Sequence, residues 1–332
     1  MYKATLVNGQ TFEINSGEKI LDAAQRNGIN INYSCRNGRC SSCKCRIIEG
    51  NTQSLTAETG LQTKELEEGW ILSCVRSALN DLVLDVEDIF DRELPPIKTL
   101  PCKIHNIKRA TENVLVVSLR FPPSTEFSFI PGQYVDIIGP NNIRRSYSIA
   151  NADFAEKLLE LHIGLVEDGI MSNYWFNHAQ VNDLLYLNGP LGTFFIREPQ
   201  QLNLYFLATG TGIAPIKAML ESMNDLPVEN KPSSITVLWG GRRPEDLYID
   251  FNSKSGDHRF IPVCSRSDNT WAGAKGYVQD VLLELNPDLS NSVVYACGSD
   301  AMIQNAWELL AAHGLSSKYF YSDVFVSSGN RL

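Results

Sequence analysis

Residues 35–45 read CRNGRCSSCKC, which places four cysteines within eleven positions of a chain that has eight in total. Such a run is compatible with disulfide partners, a zinc site, a redox-active thiol pair or an iron–sulfur centre. No basic segment leading into an apolar run precedes it, so we expect a cytoplasmic protein in a reducing compartment. There, closely spaced cysteines favour a metal site or catalytic thiols over disulfides.

The spacing of the cysteines narrows these alternatives. Cys35, Cys40 and Cys43 stand in a C-x4-C-x2-C pattern, and Cys74 follows after thirty intervening residues. This is the plant-type [2Fe-2S] spacing. Each tetrahedral iron shares two bridging sulfides, so two irons need four thiolates, and a tight loop containing Gly38 presents three of them. We predict that these four cysteines are the cluster ligands.

The competing interpretations leave cysteines unexplained. Zinc favours paired C-x2-C units, and Cys74 has no close companion. A redox pair drawn from Cys40 and Cys43 leaves the other two without a role. The remaining thiols, among them Cys45, Cys102 and Cys264, are expected to be packed core residues. Position 41 is Ser, where plant-type ferredoxins usually have Gly.

Length and composition limit the class of protein. A chain of 332 residues predicts two or three domains of roughly 150 residues each. Its content of 43% hydrophobic and 20% charged residues is typical of globular proteins. The net charge of −9, with no basic stripe, argues against a nucleic-acid partner. No run approaches the roughly 18 apolar residues that cross a bilayer, so no membrane partner is expected.

Three patterns follow one another along the chain. Residues 1–90 combine short alternating strands, a hairpin and a helix, which predicts a small α+β domain around the cysteine loop. Residues 91–99 hold charges and prolines that resist helix and sheet, which predicts a linker. Residues 100–199 show strand after strand, typical of an antiparallel barrel or sandwich. Residues 200–332 alternate apolar strands with helices, which predicts an α/β domain with a parallel sheet.

The strand-rich segment contains RRSYSIAN, residues 144–151. With the cysteine loop, it resembles the R-x-Y-[ST] signature of the ferredoxin reductase superfamily, and the resemblance covers the entire chain. It implies a β-grasp [2Fe-2S] domain, a barrel that binds FAD and a sheet that binds NADH or NADPH. An aromatic wall suits a flavin ring and a guanidinium suits a pyrophosphate. The implied FAD-binding residues of this motif are Arg145, Ser146, Tyr147 and Ser148, an ordinary strand being the alternative.

Two further stretches complete the implied flavin site. GIMS, from Gly169 to Ser172, is similar to the family's G-x-x-[ST] at a helix start, where free amides bind a pyrophosphate. A plain helix cap is the alternative. LHIG holds His162 and Ile163 on the strand that the family runs along the flavin, and no chemistry is assigned to the His162 ring.

The stretch ATGTGIAP, residues 208–215, follows an apolar strand and opens a helix. Gly210 and Gly212 allow close backbone approach to a phosphate, and Pro215 suits the first helical turn. The stretch matches neither a Rossmann G-x-G-x-x-G nor a Walker loop. It resembles the reductase family's nicotinamide loop, which implies coenzyme contacts from these three residues and Thr211.

Two later motifs complete the implied nicotinamide site. YACGSDAM places Cys297 and Gly298 at a strand end, where doubly wound sheets bind ligands. The resemblance implies that Cys297 lies beside the nicotinamide, a buried core thiol being the alternative. SDVFVSS resembles the family's tail, in which an aromatic residue covers the flavin, and Phe325 is the candidate, with a packed strand residue as the alternative. Ser148, Cys297 and Phe325 are therefore the predicted catalytic residues, and Arg266 is a candidate for binding a 2′-phosphate.

The cofactor set implies an electron-transport function. NAD(P)H releases two electrons as hydride, whereas a [2Fe-2S] centre accepts one, and a flavin mediates between them. The resemblance thus implies an NAD(P)H:acceptor oxidoreductase that passes single electrons to a partner protein. The partner would dock at the cluster edge near Arg36 and Arg39, for which a solvated loop is the simpler interpretation.

The partner is indicated by the residues between the motifs. Stretches such as GPLGTFFIRE and TWAGAKGYV are similar to the reductases of CDP-6-deoxy-4-hexulose-3-dehydrase, which reduce a sugar–pyridoxamine adduct in dideoxyhexose biosynthesis. This implies a pyridoxamine-phosphate-dependent sugar dehydrase as acceptor. The alternatives are a reductase component of an aromatic-ring dioxygenase or monooxygenase and, from another class, a redox-sensing interaction module.

Overall fold

The computed structural model describes residues 1–86, 89, 94–197, 200–224, 226–251 and 258–325. The chain divides into two units, Met1–Leu94 and Pro95–Leu332. Residues 91–93 of the predicted linker and the end of the SDVFVSS motif, from residue 326, lie outside the described residues. None of the helices in the described ranges is long and apolar enough to cross a membrane.

The first unit is built on a mixed five-stranded sheet in the order β2-β1-β7-β3-β5, in which β1 and β7 are parallel and the other neighbours antiparallel. A separate ribbon joins β4 to β6. The elements are β1 (Tyr2–Leu6), β2 (Thr11–Ile14), α1 (Ile20–Arg26), β3 (Lys44–Glu49), β4 (Thr52–Ser54), α2 (Thr63–Glu67), β5 (Trp70–Leu72), β6 (Arg76–Ala78) and β7 (Leu82–Asp85).

Local sequence accounts for the start of this unit. Gly9 has φ of +88°, the left-handed conformation that the predicted hairpin needs. The apolar residues of α1 pack into the core between the sheet and the helix. Gly28 follows with φ of +76° and ends the helix. The predicted α+β domain is confirmed.

The second unit begins with a six-stranded antiparallel sheet in the order β11-β10-β13-β8-β9-β12. Its elements are β8 (Lys98–Thr111), β9 (Val114–Arg120), β10 (Tyr134–Ile138), β11 (Arg144–Ser148), β12 (Leu158–Gly164), α3 (Ile170–Asn173) and β13 (Leu184–Leu191). An antiparallel bridge between Ile149 and Leu161 joins the two edges of the sheet. The sheet therefore closes into a barrel around a core of its own, which decides between barrel and sandwich.

The remainder of this unit is a parallel sheet in the order β17-β16-β15-β14-β18-β19, confirming the predicted α/β architecture. Its elements are β14 (Asn203–Thr209), α4 (Ile213–Met223), β15 (Ser234–Gly241), β16 (Arg259–Cys264), β17 (Ala274–Lys275), α5 (Val278–Glu284), β18 (Ser292–Gly298), α6 (Asp300–Ala312) and β19 (Phe320–Val324). The strand order reverses at β14, with β15 on one side and β18 on the other. Ligands bind at such a switch point, beyond the carboxyl ends of the strands.

Candidate functional site

The cluster loop, residues 35–43, lies between α1 and β3 and carries three of the four predicted ligands. Its thiols form two pairs with hydrogen bonds: Cys35 with Cys40, and Cys43 with Cys74. The bond from Cys40 lowers the pKa of Cys35 to about 6, and the bond from Cys43 lowers the pKa of Cys74. The same bonds, together with burial, raise the pKa values of Cys40 and Cys43.

This pairing fits a binuclear centre, because each iron of a [2Fe-2S] cluster takes two protein thiolates. Backbone amides point at the sulfurs: Asn37, Arg39 and Cys40 donate to Cys35, and Gly38 donates to Cys74. Such donors stabilise negative charge on sulfur. The residues present therefore fit a [2Fe-2S] cluster.

A second segment, residues 57–60, holds the cluster loop in place. A Cβ atom at Gly38, where φ is +78°, would lie 2.6 Å from the Ala57 carbonyl oxygen, so only glycine fits. The Gly60 amide donates to the Gly38 carbonyl at 2.9 Å. Ser41 adopts φ of +58°, and its hydroxyl donates to the Gly60 carbonyl. The hydroxyl bond compensates for the absence of glycine at position 41.

The two arginines of the cluster loop differ in their contacts and in their exposure to solvent. Arg36 forms an ion pair with Asp22 and stacks over Tyr33, with the guanidinium 5.2 Å from the ring centroid. Arg39 is exposed. Of the two predicted docking residues, Arg39 is therefore the one whose side chain faces solvent. The packed thiols behave as expected, since Cys45, Cys102 and Cys264 are all buried.

In the barrel, Arg145 and Tyr147 alternate with Ser146 along β11 and share one face of the strand. Trp175 donates its Nε1–H to the Tyr147 hydroxyl at 3.0 Å, and the two rings meet edge to face with centroids 6.2 Å apart. Burial raises the pKa of Tyr147, against the effects of the Trp175 bond and of the nearby Arg145 charge. A neutral aromatic wall beside a cation fits a flavin with a pyrophosphate.

The two serines of the motif are placed differently. Ser146 lies on the opposite face of β11, where its hydroxyl donates to Asp136 at 2.6 Å. Ser148 is buried at the end of the strand, opposite Tyr134. The structure therefore does not bring the Ser146 side chain to the face that carries Arg145.

The GIMS motif forms one helical turn. Gly169 is the N-terminal cap of α3, as predicted, and its carbonyl accepts from the Asn173 amide at 2.8 Å. The Ser172 hydroxyl is buried and accepts from the Val166 amide at 3.0 Å. On β12, Ile163 points into the barrel core, whereas the His162 ring contacts Tyr248.

A cleft of about 720 Å³ opens at the carboxyl ends of the parallel strands. Of the predicted coenzyme residues, Gly210, Thr211, Gly298 and Phe325 line it. The Phe325 amide donates to the Gly298 carbonyl at 2.8 Å, which holds the aromatic residue at the cleft. Arg266 is exposed at the end of β16 and is not among the lining residues, although its neighbour Ser265 is.

The two remaining nicotinamide motifs meet at the backbone. A Cβ atom at Gly212 would lie 2.2 Å from the Cys297 carbonyl oxygen, so the glycine allows the loop to pack on the end of β18. Pro215 is buried in the first turn of α4, as predicted. The Cys297 side chain is fully buried, and burial raises its thiol pKa well above the usual value. The sulfur therefore remains a protonated thiol.

Sequence reasoning missed several polar residues of the cleft. Tyr277, Gln279, Ser299 and Asn305 line it, from the starts of α5 and α6. A signal was available for α6, because it follows β18, which ends at the switch point, whereas α5 follows the edge strand β17. Gln279 is buried, and its Oε1 has no hydrogen-bond partner among the residues that the structure describes. An amino or hydroxyl donor of a bound nucleotide would satisfy this acceptor, so the cleft fits a nicotinamide coenzyme.

A two-iron site, a flavin-binding barrel and a nucleotide-binding parallel sheet in one chain define an iron–sulfur flavoprotein reductase that oxidises NAD(P)H. Three family models match the chain: a 2Fe-2S iron-sulfur cluster binding domain over residues 5–78, an oxidoreductase FAD-binding domain over residues 101–196 and an oxidoreductase NAD-binding domain over residues 206–308. The chain belongs to the ferredoxin reductase family, in the group with an N-terminal plant-type [2Fe-2S] domain.

Several relatives align with the chain over most of its length. The CDP-6-deoxy-L-threo-D-glycero-4-hexulose-3-dehydrase reductase of Yersinia pseudotuberculosis is 41% identical over 327 residues, covering 97% of each chain. The protein RfbI of Salmonella typhimurium is 33% identical, covering 94% of this chain and 93% of the relative. The propane 2-monooxygenase reductase component of Rhodococcus jostii is 33% identical, covering 95% and 88%.

Solved structures share the fold. The ferredoxin reductase in carbazole 1,9a-dioxygenase matches with a TM-score of 0.70 at 24% identity, covering 98% of both chains. The ferredoxin NADP+ reductase of Neisseria gonorrhoeae, solved with bound FAD and NADP, matches with a TM-score of 0.57 at 24% identity, covering 68% of this chain and 98% of that one.

When bound, these groups would supply the redox chemistry: a hydride from nicotinamide, uptake of an electron pair by flavin, and single-electron transfer by the iron–sulfur centre. The protein holds and orients these groups. Paired thiols and inward amides fit the cluster, the Arg145 and Tyr147 face fits the flavin, and the glycine-lined cleft fits the nucleotide.

Proposed function

We propose that the electron acceptor is a pyridoxamine-phosphate-dependent CDP-6-deoxy-4-hexulose-3-dehydrase of 3,6-dideoxyhexose biosynthesis. One observation carries this proposal: the relative named as the reductase of that dehydrase is 41% identical over 97% of the chain, against 33% for the propane 2-monooxygenase reductase. Both relatives align with nearly the whole chain, so the difference in identity is spread over its full length.

Reconstitution tests the proposal. The purified chain, loaded with FAD and iron–sulfur cluster, is mixed without oxygen with the dehydrase, its CDP-sugar and NADH or NADPH. We expect one molecule of coenzyme to be oxidised for each molecule of 3-deoxy product formed. Without the dehydrase, we expect neither steady coenzyme oxidation nor product. The Cys74→Ser variant is the matched control, because it should still oxidise coenzyme with artificial two-electron acceptors while delivering nothing to the dehydrase.

A parallel arm replaces the dehydrase with the oxygenase component of an aromatic-ring dioxygenase. Coupled turnover in that arm, with none in the dehydrase arm, would reverse the assignment of the partner. It would leave the reductase activity itself intact.

We propose the following roles for the site residues. Cys35, Cys40, Cys43 and Cys74 bind the cluster. Arg145 and Tyr147 belong to the flavin site, supported by the aromatic and cationic face of β11. Ser146, Ser148, His162, Ile163, Gly169 and Ser172 are proposed for the same site from their motifs alone, since the Ser146 hydroxyl lies on the other face of β11. Gly210, Thr211, Gly298 and Phe325 belong to the nicotinamide site, supported by the cleft that they line at the switch point. Gly212, Pro215 and Cys297 are proposed for the same site as the residues on which this lining packs. Domain bounds of 1–90, 100–199 and 200–332 follow the same division.

Coenzyme choice is assigned to Arg266, beside the cleft residue Ser265. A guanidinium there would attract a 2′-phosphate, which only NADPH carries. The ratio of kcat/KM for NADPH to that for NADH should fall about tenfold or more in Arg266→Ala, since a charge-assisted hydrogen bond is lost. An unchanged ratio would remove Arg266 from the site.

A further inference from the structure

One face of β12 in the barrel contacts the nucleotide-binding half of the same unit. Glu160, His162 and Gly164 alternate along the strand and share that face. Glu160 contacts Lys217 of α4, His162 contacts Tyr248, and a Cβ atom at Gly164 would lie 3.5 Å from the Thr211 side chain. Three alternate positions of β12 therefore each face a different segment of the nicotinamide half.

A hydrogen-bonded chain runs through the first two of these contacts. Lys217 Nζ lies 3.1 Å from Glu160 Oε1, which lies 3.0 Å from His162 Nε2. His162 Nδ1 lies 3.0 Å from the Tyr248 hydroxyl. Lys217 also donates to the Ala150 carbonyl at 2.8 Å, directly after the RSYSI stretch.

The protonation states of His162 and Glu160 follow from their burial and their hydrogen-bond partners. Burial lowers the pKa of His162, which keeps the imidazole neutral. A carboxylate only accepts, so we assign the Nε2 proton, donated to Glu160, and Nδ1 accepts from the Tyr248 hydroxyl. Burial opposes the ionisation of Glu160, but the bonds from His162 and Lys217 outweigh it and lower the pKa of Glu160 to about 2. Each polar group in the chain thus has a partner of the right kind.

The connection continues from Tyr248 to the loop Gly210–Gly212, which is called the phosphate loop below. The Tyr248 and Trp239 rings meet edge to face, with centroids 5.1 Å apart and planes at 86°. Trp239, which is fully buried, donates its Nε1–H to the Gly210 carbonyl at 2.9 Å. Gly210 has φ of +54° and opens the cleft-lining loop. The indole therefore connects Tyr248 to a backbone atom of the predicted phosphate-binding residue.

We propose that Tyr248 and His162 are positioning residues that fix the phosphate loop at Gly210 against the flavin strand β12. Hydride transfer depends on the relative placement of two bound rings, and small displacements have large effects on rate. The chain from β12 through Tyr248 and Trp239 supplies that placement without contacting the reacting atoms. Because linkage is reciprocal, nucleotide binding should also stabilise the flavin site through the same residues.

The first test removes a single oxygen atom. Tyr248→Phe retains the ring on Trp239 and leaves His162 Nδ1 without its donor. We expect the dissociation constants of NAD+ and NADP+ for the oxidised holoenzyme, measured by calorimetry, to rise about fivefold, as for the loss of one buried hydrogen bond. The limiting rate of flavin bleaching by NADH or NADPH should fall by a similar factor, with FAD and iron content unchanged.

A matched control is available in the same sheet. Tyr205 is buried on β14, and its hydroxyl bonds to Ser292 at the opposite end from the cleft. Tyr205→Phe should lower the melting temperature without changing nucleotide affinity. If Tyr248→Phe behaves like this control, with melting lowered and nucleotide affinity within twofold of the wild type, the role is structural and the proposal is wrong.

A second test asks whether the effect passes through Trp239. Trp239→Phe removes the donor to Gly210, so adding Tyr248→Phe to it should weaken NAD+ and NADP+ binding no further. If the two substitutions weaken nucleotide binding independently, so that their fold changes multiply in the double variant, the proposed connection from Tyr248 through Trp239 is wrong. If Trp239→Phe does not fold, the Tyr248→Phe and Tyr205→Phe comparison still decides the proposal.

Discussion

The backbone of Gly212 packs on Cys297 so closely that a Cβ atom there would lie 2.2 Å from the Cys297 carbonyl oxygen. Two motifs that are far apart in the sequence, GTGIAP and CGSDAM, thus meet through backbone atoms. The contact requires glycine at position 212, because any side chain there would clash with the Cys297 carbonyl. The contact lies just beyond the point where β14 and β18 pair as neighbouring strands, up to Ala208 and Cys297.

We expect Gly212→Ala to destabilise the nucleotide-free holoenzyme by about 3 kcal/mol, because backbone must move to admit the methyl group. Gly210→Ala is the comparison: nothing lies within 4 Å of its Cβ position, and its φ of +54° costs an alanine only about 1 kcal/mol. Denaturant unfolding followed by flavin fluorescence measures both. A smaller loss for Gly212→Ala than for Gly210→Ala would contradict the packing argument.

Cys74→Ser should abolish the visible absorption and the reduced-state EPR signal of the cluster, since one iron loses a thiolate of its pair. Cys45→Ser is the matched control, because Cys45 is equally buried on β3 and pairs with Ile71 rather than with a thiol. We expect it to retain both signals and iron content. Loss of iron from Cys45→Ser and retention in Cys74→Ser would require a different ligand set.

Arg145→Ala should weaken FAD binding about tenfold or more through loss of a charge-assisted hydrogen bond to the pyrophosphate. Arg144→Ala is the neighbouring control, since Arg144 lies on the other face of β11, 3.4 Å from the Asp136 carboxylate. Dissociation of FAD on dilution, followed by fluorescence, gives the comparison. Equal loss of FAD from both variants would show that the charge, rather than the face of the strand, matters.

His162 should make stability depend on pH. Its pKa is lowered by burial in the folded protein, where Glu160, Lys217, Glu221 and Tyr248 surround it, so below pH 6.5 the unfolded state binds more protons. The free energy of unfolding should then fall by up to about 1.4 kcal/mol per pH unit until the lowered pKa is reached.

His162→Gln should flatten this dependence between pH 7.5 and 5.5, measured as the release of FAD on denaturation. His105→Gln, at an exposed position on β8, should retain the wild-type slope. A slope that is unchanged in His162→Gln would show that other groups titrate.

Much of the organisation could be predicted from local sequence. The spacing of Cys35, Cys40, Cys43 and Cys74 is nearly specific for a two-iron cluster, because the ligand geometry of two tetrahedral irons leaves few alternatives. The change from alternating strands to strand–helix repeats marks the barrel and the parallel sheet, since side-chain periodicity reflects which faces are buried. Gly9 and Gly28 were predictable because a positive φ favours glycine, and Pro215 because proline suits the first turn of a helix.

Other features depend on which distant segments meet. The bridge from Ile149 to Leu161 distinguishes a barrel from a sandwich, and no local pattern encodes that closure. Separate segments also meet where Cys43 pairs with Cys74 and where the Ser41 hydroxyl donates to the Gly60 carbonyl. The same holds for Gln279, whose buried Oε1 has no partner among the described residues.

The sequence by itself determined the cluster ligands and the division into three segments, because ligand spacing and burial periodicity are properties of neighbouring residues. The flavin and the nicotinamide coenzyme were implied by the resemblance of short motifs to a known family. Only the tertiary structure decided that β12 reaches Gly210 through His162, Tyr248 and Trp239. His162 and Trp239 lie on β12 and β15, Tyr248 lies in the segment between β15 and β16, and each alone has the appearance of an ordinary core residue. Their hydrogen bonds exist because folding excludes water and leaves each polar group dependent on a partner from another element.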